Sequence, residues 1–244
     1  MGEKERLFWD TQKETIPAAE LRSLQLEKLQ DAVAFVANKS PLYKKRKKLV
    51  PREEHFASLE EFAEKVPLTT KADLLECDVY GNLCVDKKDV IEVHFSSGTS
   101  AKPVHSFLTK RDIDIGSEYL ARTWYMQGIR RESVFAMLAS YGLFSAGLLN
   151  HYAIQEIGAF VIPAGGSPTL RVLDIMSTYG VDSCAAVASY YPYLITIAKE
   201  NGIGPGELGL RHLVGGGEPF SEDERRYVEQ EFGVVKLLGE RGDG

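Results

Sequence analysis

A chain of 244 residues, 44% of them hydrophobic, is long enough to bury a sizeable core as one large domain or two small ones. A formal net charge of −6 argues against a general nucleic-acid binder, which carries a broad basic field. Cys77, Cys84 and Cys184 are too few and too scattered for a disulfide framework or a thiolate zinc site, and no apolar run approaches the ~20 residues of a membrane span.

From the start of the chain, Met1–Arg6 lacks the basic start and apolar run of a secretion signal, and Arg6 stands where a myristoylation motif wants Ser or Thr. A cytoplasmic, reduced protein is expected, with all three cysteines as ordinary thiols. Leu26, Leu29, Val33 and Val36 recur at spacings of three and four, which predicts a helix over 18–37, broken at Ser40-Pro41. The basic cluster Lys44–Lys48 reads as a solvated surface patch. A short amphipathic stretch over 56–65 ends near Pro67, and Thr69–Asp73 caps another short helix.

Beyond residue 85 the pattern changes. Strand-like runs at 90–95, 134–139, 159–163, 183–188 and 211–214 alternate with helices. Thr109 caps a helix over 110–126. Another opens at Ser167-Pro168, with the proline at its first position, and ends near Gly180. A third runs from Pro192 to before Asn201-Gly202. A fourth opens on the capping-box pair Ser221 and Glu224 and ends at Gly233. The fold class is therefore α/β, a helical N-terminal region followed by a mainly parallel sheet flanked by helices. The expected division is 1–85 helical, 86–233 α/β, and 234–244 a divergent tail.

Three loops could carry chemistry. Phe95-Ser-Ser-Gly-Thr-Ser-Ala-Lys-Pro103 follows a strand and offers N–H groups, hydroxyls and one cation to a single anion. It is not the common NTPase loop, because Pro103 sits where the magnesium-binding hydroxyl belongs. Composition leaves a polar turn and a phosphate cradle equally open. Gly215-Gly216-Gly217-Glu218-Pro219 is a tight turn or a close approach to a planar ligand. Both loops are expected at the carboxyl ends of strands, where open α/β sheets bind ligands. Tyr141–Gly147 offers a pocket for a flat apolar group or plain core packing, and His151 reads as structural. No nucleophile elbow and no metal-ligand spacing stands out.

Taken together, the three loops resemble the adenylate-forming enzymes, most closely the phenylacetate–coenzyme A ligase family. Ser96-Ser97-Gly98-Thr99-Ser100-Ala101-Lys102-Pro103 is similar to that family's Ser-Ser-Gly-Thr-Thr-Gly-Lys-Pro. Tyr141-Gly142-Leu143-Phe144 looks like its Tyr-Gly-Leu-Phe, and Gly216-Gly217-Glu218-Pro219 resembles its Gly-Ala-Glu-Pro. Flanking stretches agree, among them Pro67-Leu68-Thr69-Thr70-Lys71 and Gly158-Ala159-Phe160-Val161-Ile162-Pro163, so the resemblance covers about residues 5–233.

The resemblance implies a two-step ligase: ATP and an aryl or acyl carboxylate give an acyl-adenylate and pyrophosphate, and the thiol of coenzyme A then displaces AMP. It places Ser96, Ser97, Gly98, Thr99, Ser100 and Lys102 on the ATP phosphates, Gly216, Gly217, Glu218 and Pro219 at the adenine, and Tyr141 and Phe144 at the aryl group. Mg2+ is implied as well, but its family ligand, the glutamate of an Asp-x-Tyr-Gly-x-Thr-Glu segment, has no counterpart in Val234–Gly244. Ala101 also replaces the loop's second glycine, which costs about 1–2 kcal/mol if that position needs positive φ. The expectation is an N-terminal portion of such a ligase, without a complete catalytic set and with little turnover alone. The alternatives are a non-catalytic nucleotide- or carboxylate-binding module and an adenylyltransferase acting on a larger cofactor. No nucleic-acid or membrane partner is expected, and homodimerisation is left open.

Overall fold

The computed structural model describes residues 7–45, 55–96, 102–234 and 237–241. The chain forms two compact units, Asp10–Asp112 and Met1–Trp9 with Ile113–Gly244.

The Asp10–Asp112 unit holds α1 (Thr11–Glu14), α2 (Ala18–Lys39), α3 (Pro41–Lys45), α4 (Leu59–Lys65), α5 (Lys71–Leu75), β1 (Val90–Phe95) and β2 (His105–Thr109). The three-and-four spacing of α2 serves a small core. Val33 and Ala37 are buried with Phe56, and Leu26, Leu29 and Phe62 pack against them. Caps set the short helices: Ser58 Oγ accepts the Glu61 N–H, and Thr70 and Asp73 form a reciprocal capping box. In the Lys44–Lys48 cluster only the Lys44 side chain is described, and it is exposed.

Strands β1 and β2 pair antiparallel as a separate two-stranded sheet, with Val93 opposite Phe107 and Phe95 opposite His105. This corrects the expected placement of the 95–103 loop at the carboxyl end of a parallel strand: the strand it leaves, β1, is paired antiparallel with β2, the next strand in the chain. A connection this short can only bring the chain back antiparallel, since a parallel return needs a crossover of about a dozen residues or more.

Helix α6 (Lys110–Met126) begins behind the Thr109–Asp112 cap and runs into the second unit. There β3 (Val134–Met137), β4 (Phe160–Pro163), β5 (Ser183–Val187), β6 (His212–Phe220) and β7 (Leu237–Arg241) form a sheet in the order β4-β3-β5-β6-β7. Every pairing in it is parallel. The connections are α7 (Ala146–Ile157), α8 (Thr169–Tyr179), α9 (Tyr190–Glu200) and α10 (Glu222–Phe232). The step from β3 to β4 runs one way across the sheet and all later steps run the other. Right-handed crossovers therefore put α7 on one face and α8, α9 and α10 on the opposite face.

The core follows that division residue by residue. Phe135 and Met137 of β3 and Ala185 of β5 join Ala121 and Trp124 of α6 and Ile154 and Ile157 of α7. The alternate residues Ala136, Cys184 and Ala186 join Leu173 and Met176 of α8, Tyr191 and Leu194 of α9, and Val228 and Phe232 of α10. A period of two with both faces covered explains why these strands read as near-continuous apolar runs. Complete burial pushes the Cys184 thiol up to about 12, so it packs as a small apolar group. Cys77 and Cys84 are half-buried free thiols.

Boundaries shift for local reasons. Pro168 is the N-cap of α8 and not its first residue. Helix α9 starts at Tyr190, two residues before Pro192, because the first turn of a helix has no use for the missing N–H. Gly180 and Gly233 end α8 and α10 in the left-handed region, as expected. Among the described residues no helix is long and apolar enough to cross a membrane.

Candidate functional site

The reversal of chain direction in the parallel sheet falls between β3 and β5. The loops leaving those two strands go to opposite faces, which opens a crevice at their carboxyl ends. The segment leaving β3 is Leu138–Ser145, with Tyr141 and Phe144. The segment leaving β5 is Ala188-Ser189, the start of α9. Next to it β6 carries the glycines.

The glycine segment is not a turn after a strand, as its sequence suggests. It is a bulge inside β6. Gly215 pairs with Gly239 of β7 and Phe220 with Arg241, so residues 216–219 leave the ladder with β7, while on the other side Gly216 still pairs with Val187 of β5. Gly217 has φ +80°, and a side chain at Gly216 would meet nothing within 4 Å. The bulge thus leaves open space on the side-chain side of Gly216. Glu218 reaches across to α9: its Oε1 accepts the Ser189 N–H at 2.6 Å. Ser189 is the N-cap of α9 and makes no side-chain cap of its own, so the carboxylate of Glu218 supplies one at the positive end of the helix.

Hydrogen bonds from the Ser189 hydroxyl and N–H hold the Glu218 carboxyl below the ordinary carboxylate range. The folded-state value lies below the unfolded one, about 4.3. The stabilisation is therefore fully present above that pH and is lost as pH falls through the lower, folded value. Followed by NMR, the Ser189 amide should stay unchanged from about pH 7 to 5 and move only below the usual glutamate range. A transition centred above about pH 5 would remove the assignment.

The aromatic loop is held by two close backbone approaches. A Cβ at Gly147 would stand 2.3 Å from the carbonyl oxygen of Ser140, and one at Gly165 would stand 1.9 Å from that of Ala139. Tyr141 is half-buried against the core, and its hydroxyl lies 3.0 Å from Nδ1 of His151 on α7. Burial pushes Tyr141 up to about 12 and His151 downward, which favours the neutral form of both, and the His151 tautomer sets which of the two donates. His151, read from sequence as merely structural, is thus the partner of a candidate site residue. Its signal was the ten-residue separation across the β3–α7 turn, which has meaning only once α7 is known. Phe144 differs from Tyr141 in lying 54% exposed.

In the Asp10–Asp112 unit, Ser96 closes the base of the hairpin. Its N–H bonds the Val104 carbonyl at 3.0 Å, and its Oγ accepts the Val104 N–H at 3.1 Å. Lys102 is exposed on the returning arm and borders a cavity of about 410 Å3 with Asp78, Asn82 and His105. Ser97, Gly98, Thr99 and Ser100 lie outside the described residues, as does Ala101. Among the described residues no group of three His, Cys, Asp or Glu side chains could hold a metal ion.

No family model matches the chain. It is 31% identical over 231 residues to a phenylacetate–coenzyme A ligase of Thermus thermophilus, covering 93% of this chain and 51% of that protein. To a phenylacetate–coenzyme A ligase of Pseudomonas putida it is 32% identical over 225 residues, covering 92% and 51%. The Escherichia coli K12 enzyme of the same name gives 30% over 227 residues, covering 92% and 52%. The chain spans about half the length of the curated relatives it matches. Among solved structures, 2-hydroxyisobutyryl-CoA ligase in complex with 2-HIB-AMP and CoA superposes with a TM-score of 0.89 at 23% identity, over 98% of this chain and 52% of that one. That likeness shows the fold.

Proposed function

We propose, for a chain that belongs to the phenylacetate–coenzyme A ligase family and corresponds to an N-terminal portion of its members, that it carries the nucleotide- and acid-binding residues of an ATP-dependent ligase acting on aryl or acyl carboxylates. In the first step a carboxylate oxygen bonds to the α-phosphorus of ATP, and the bond to the departing pyrophosphate breaks. In the second, the sulfur of coenzyme A bonds to the acyl carbon and AMP leaves.

The observation that carries this reading is the backbone bulge at Gly216–Pro219, open at Gly216 and lying at the carboxyl end of the parallel sheet, two strands along from β3, which the aromatic loop leaves. Such a bulge fits a flat base lying against backbone. We assign Gly216, Gly217 and Pro219 to the adenine, with Glu218 in the same segment. Lys102 supplies the positive charge that offsets charge developing on pyrophosphate, with Ser96, Ser97, Gly98, Thr99 and Ser100 as hydrogen-bond donors around it. Tyr141 and Phe144 form the apolar side of the acid pocket. Mg2+ enters as the ion carried by ATP, and no residue of this chain is assigned to it. Because residues of such a site act as a unit, we expect these 244 residues by themselves to bind nucleotide with little turnover.

Calorimetric titration of ATP·Mg into the chain and into Lys102→Ala tests the reading. The variant should bind about tenfold more weakly, the worth of one charge-assisted contact. Equal heats would remove Lys102 from the phosphate site. Pyrophosphate release with arylacetates separates a ligase from a binding module. Mass spectrometry of the acceptor separates thioester formation from adenylyl transfer.

A further inference from the structure

We propose that Glu218 is a positioning residue of the nucleotide site: its carboxylate latches the Gly216–Pro219 bulge onto the first turn of α9 and does not itself read the base. The inference rests on the nucleotide reading above and gives one residue of the assigned adenine segment a different role.

The bulge needs a latch. Between Gly215 and Phe220 the strand has left its pairing with β7, and the glycines in that stretch have the most backbone freedom to lose. Its foot is fixed by packing: a Cβ at Gly215 would fall 2.1 Å from the Phe220 ring, so the ring closes directly over the glycine. Its middle passes over the end of β5, where a Cβ at Gly217 would lie 3.5 Å from Val187 Cγ1. Its tip is held by Glu218, bound to a residue 29 positions earlier in the chain. The Ser189 N–H donates to that carboxylate at 2.6 Å. A carboxylate so occupied is engaged by the protein's own backbone. The open space at the bulge lies at Gly216, where a Cβ would meet nothing within 4 Å.

A base reader and a latch differ in what their loss does. Removing a base reader changes the preference between adenine and hypoxanthine, whereas removing a latch loosens the segment and weakens both alike. The test compares the 244-residue chain with Glu218→Ala and Glu218→Gln. Two readouts are taken: hydrogen exchange of the Ser189 amide without nucleotide, and calorimetric affinity for ATP·Mg and ITP·Mg. Glu218→Ala should speed Ser189 exchange about tenfold and weaken both nucleotides by a similar factor of about five to ten, as loss of one hydrogen bond to a charged group implies. Glu218→Gln keeps an acceptor oxygen and should restore both readouts to within about twofold. Unchanged exchange in Glu218→Ala, unchanged affinity, or an altered ATP-to-ITP ratio would each overturn the positioning role. Wild-type chain that binds neither nucleotide would strike the nucleotide reading itself, and the latch with it. Wild-type binding that Glu218→Ala leaves intact would strike the latch alone.

Discussion

Gly165→Ala should cost about 3 kcal/mol of stability, the upper end for an overpacked site, and should displace the aromatic loop. The added Cβ would stand 1.9 Å from the carbonyl oxygen of Ala139, 2.7 Å from its carbon and 3.3 Å from the carbonyl oxygen of Leu138. All three are backbone atoms, so no side chain can swing aside; either β4 or the segment leaving β3 has to move. Gly166 is the internal control. Its φ of +81° strains any L-residue, but a Cβ there meets nothing within 4 Å. Gly166→Ala should therefore cost only about 1–2 kcal/mol, the left-handed penalty alone. Urea unfolding of both variants separates the two effects, and the Tyr141 and His151 resonances report the loop. If Gly165→Ala proves no worse than Gly166→Ala, the close approach of the two segments is not as described.

Tyr191→Ala should cost about 4 kcal/mol, in the range for emptying a large aromatic site in a closed core. Tyr191 is fully buried, stacked near Phe220 at 6.3 Å and edge-on to Phe232 at 6.4 Å between ring centroids. Its hydroxyl donates to the Val214 carbonyl at 2.7 Å, which ties the start of α9 to β6 immediately before the glycine bulge. Tyr191→Phe keeps the ring and leaves that carbonyl without the hydroxyl, at a cost of about 1 kcal/mol. Both should lower the urea midpoint without changing the slope. The comparison divides the contribution of the ring from that of the hydrogen bond. A Tyr191→Phe variant as unstable as Tyr191→Ala would mean the ring's packing is not the larger part.

Much of the second unit was legible because its signals are contiguous. The Ser221–Glu224 box, the glycines that end α8 and α10, and the apolar runs of β3, β4 and β5 each declare themselves within a few residues. Apart from the short helices α1 and α3, three elements of the chain did not. Strand β2, His105-Ser106-Phe107-Leu108-Thr109, has too few apolar residues for its alternation to register, so its antiparallel pairing with β1 was not legible. Helix α7 is apolar around most of its circumference, and without a polar face it shows no period. Strand β7 lies in the stretch where the family comparison broke off. The site divides the same way. Its motifs are runs of neighbouring residues and were readable. The partners that hold them are distant in sequence: His151 for Tyr141, Ser189 for Glu218 and Gly165 for Ala139. No local pattern carries those pairings, because the sheet register and the crossovers create them.

The central claim is that the bulge in β6 receives a nucleotide. Titration of ATP·Mg into 15N-labelled chain, followed by amide chemical shifts, addresses it directly. Saturable shifts are expected at Gly216, Gly217 and Ser189, with the β4 edge of the sheet unmoved. Saturable binding that leaves those three amides in place, or no shift anywhere at millimolar ATP, would contradict it.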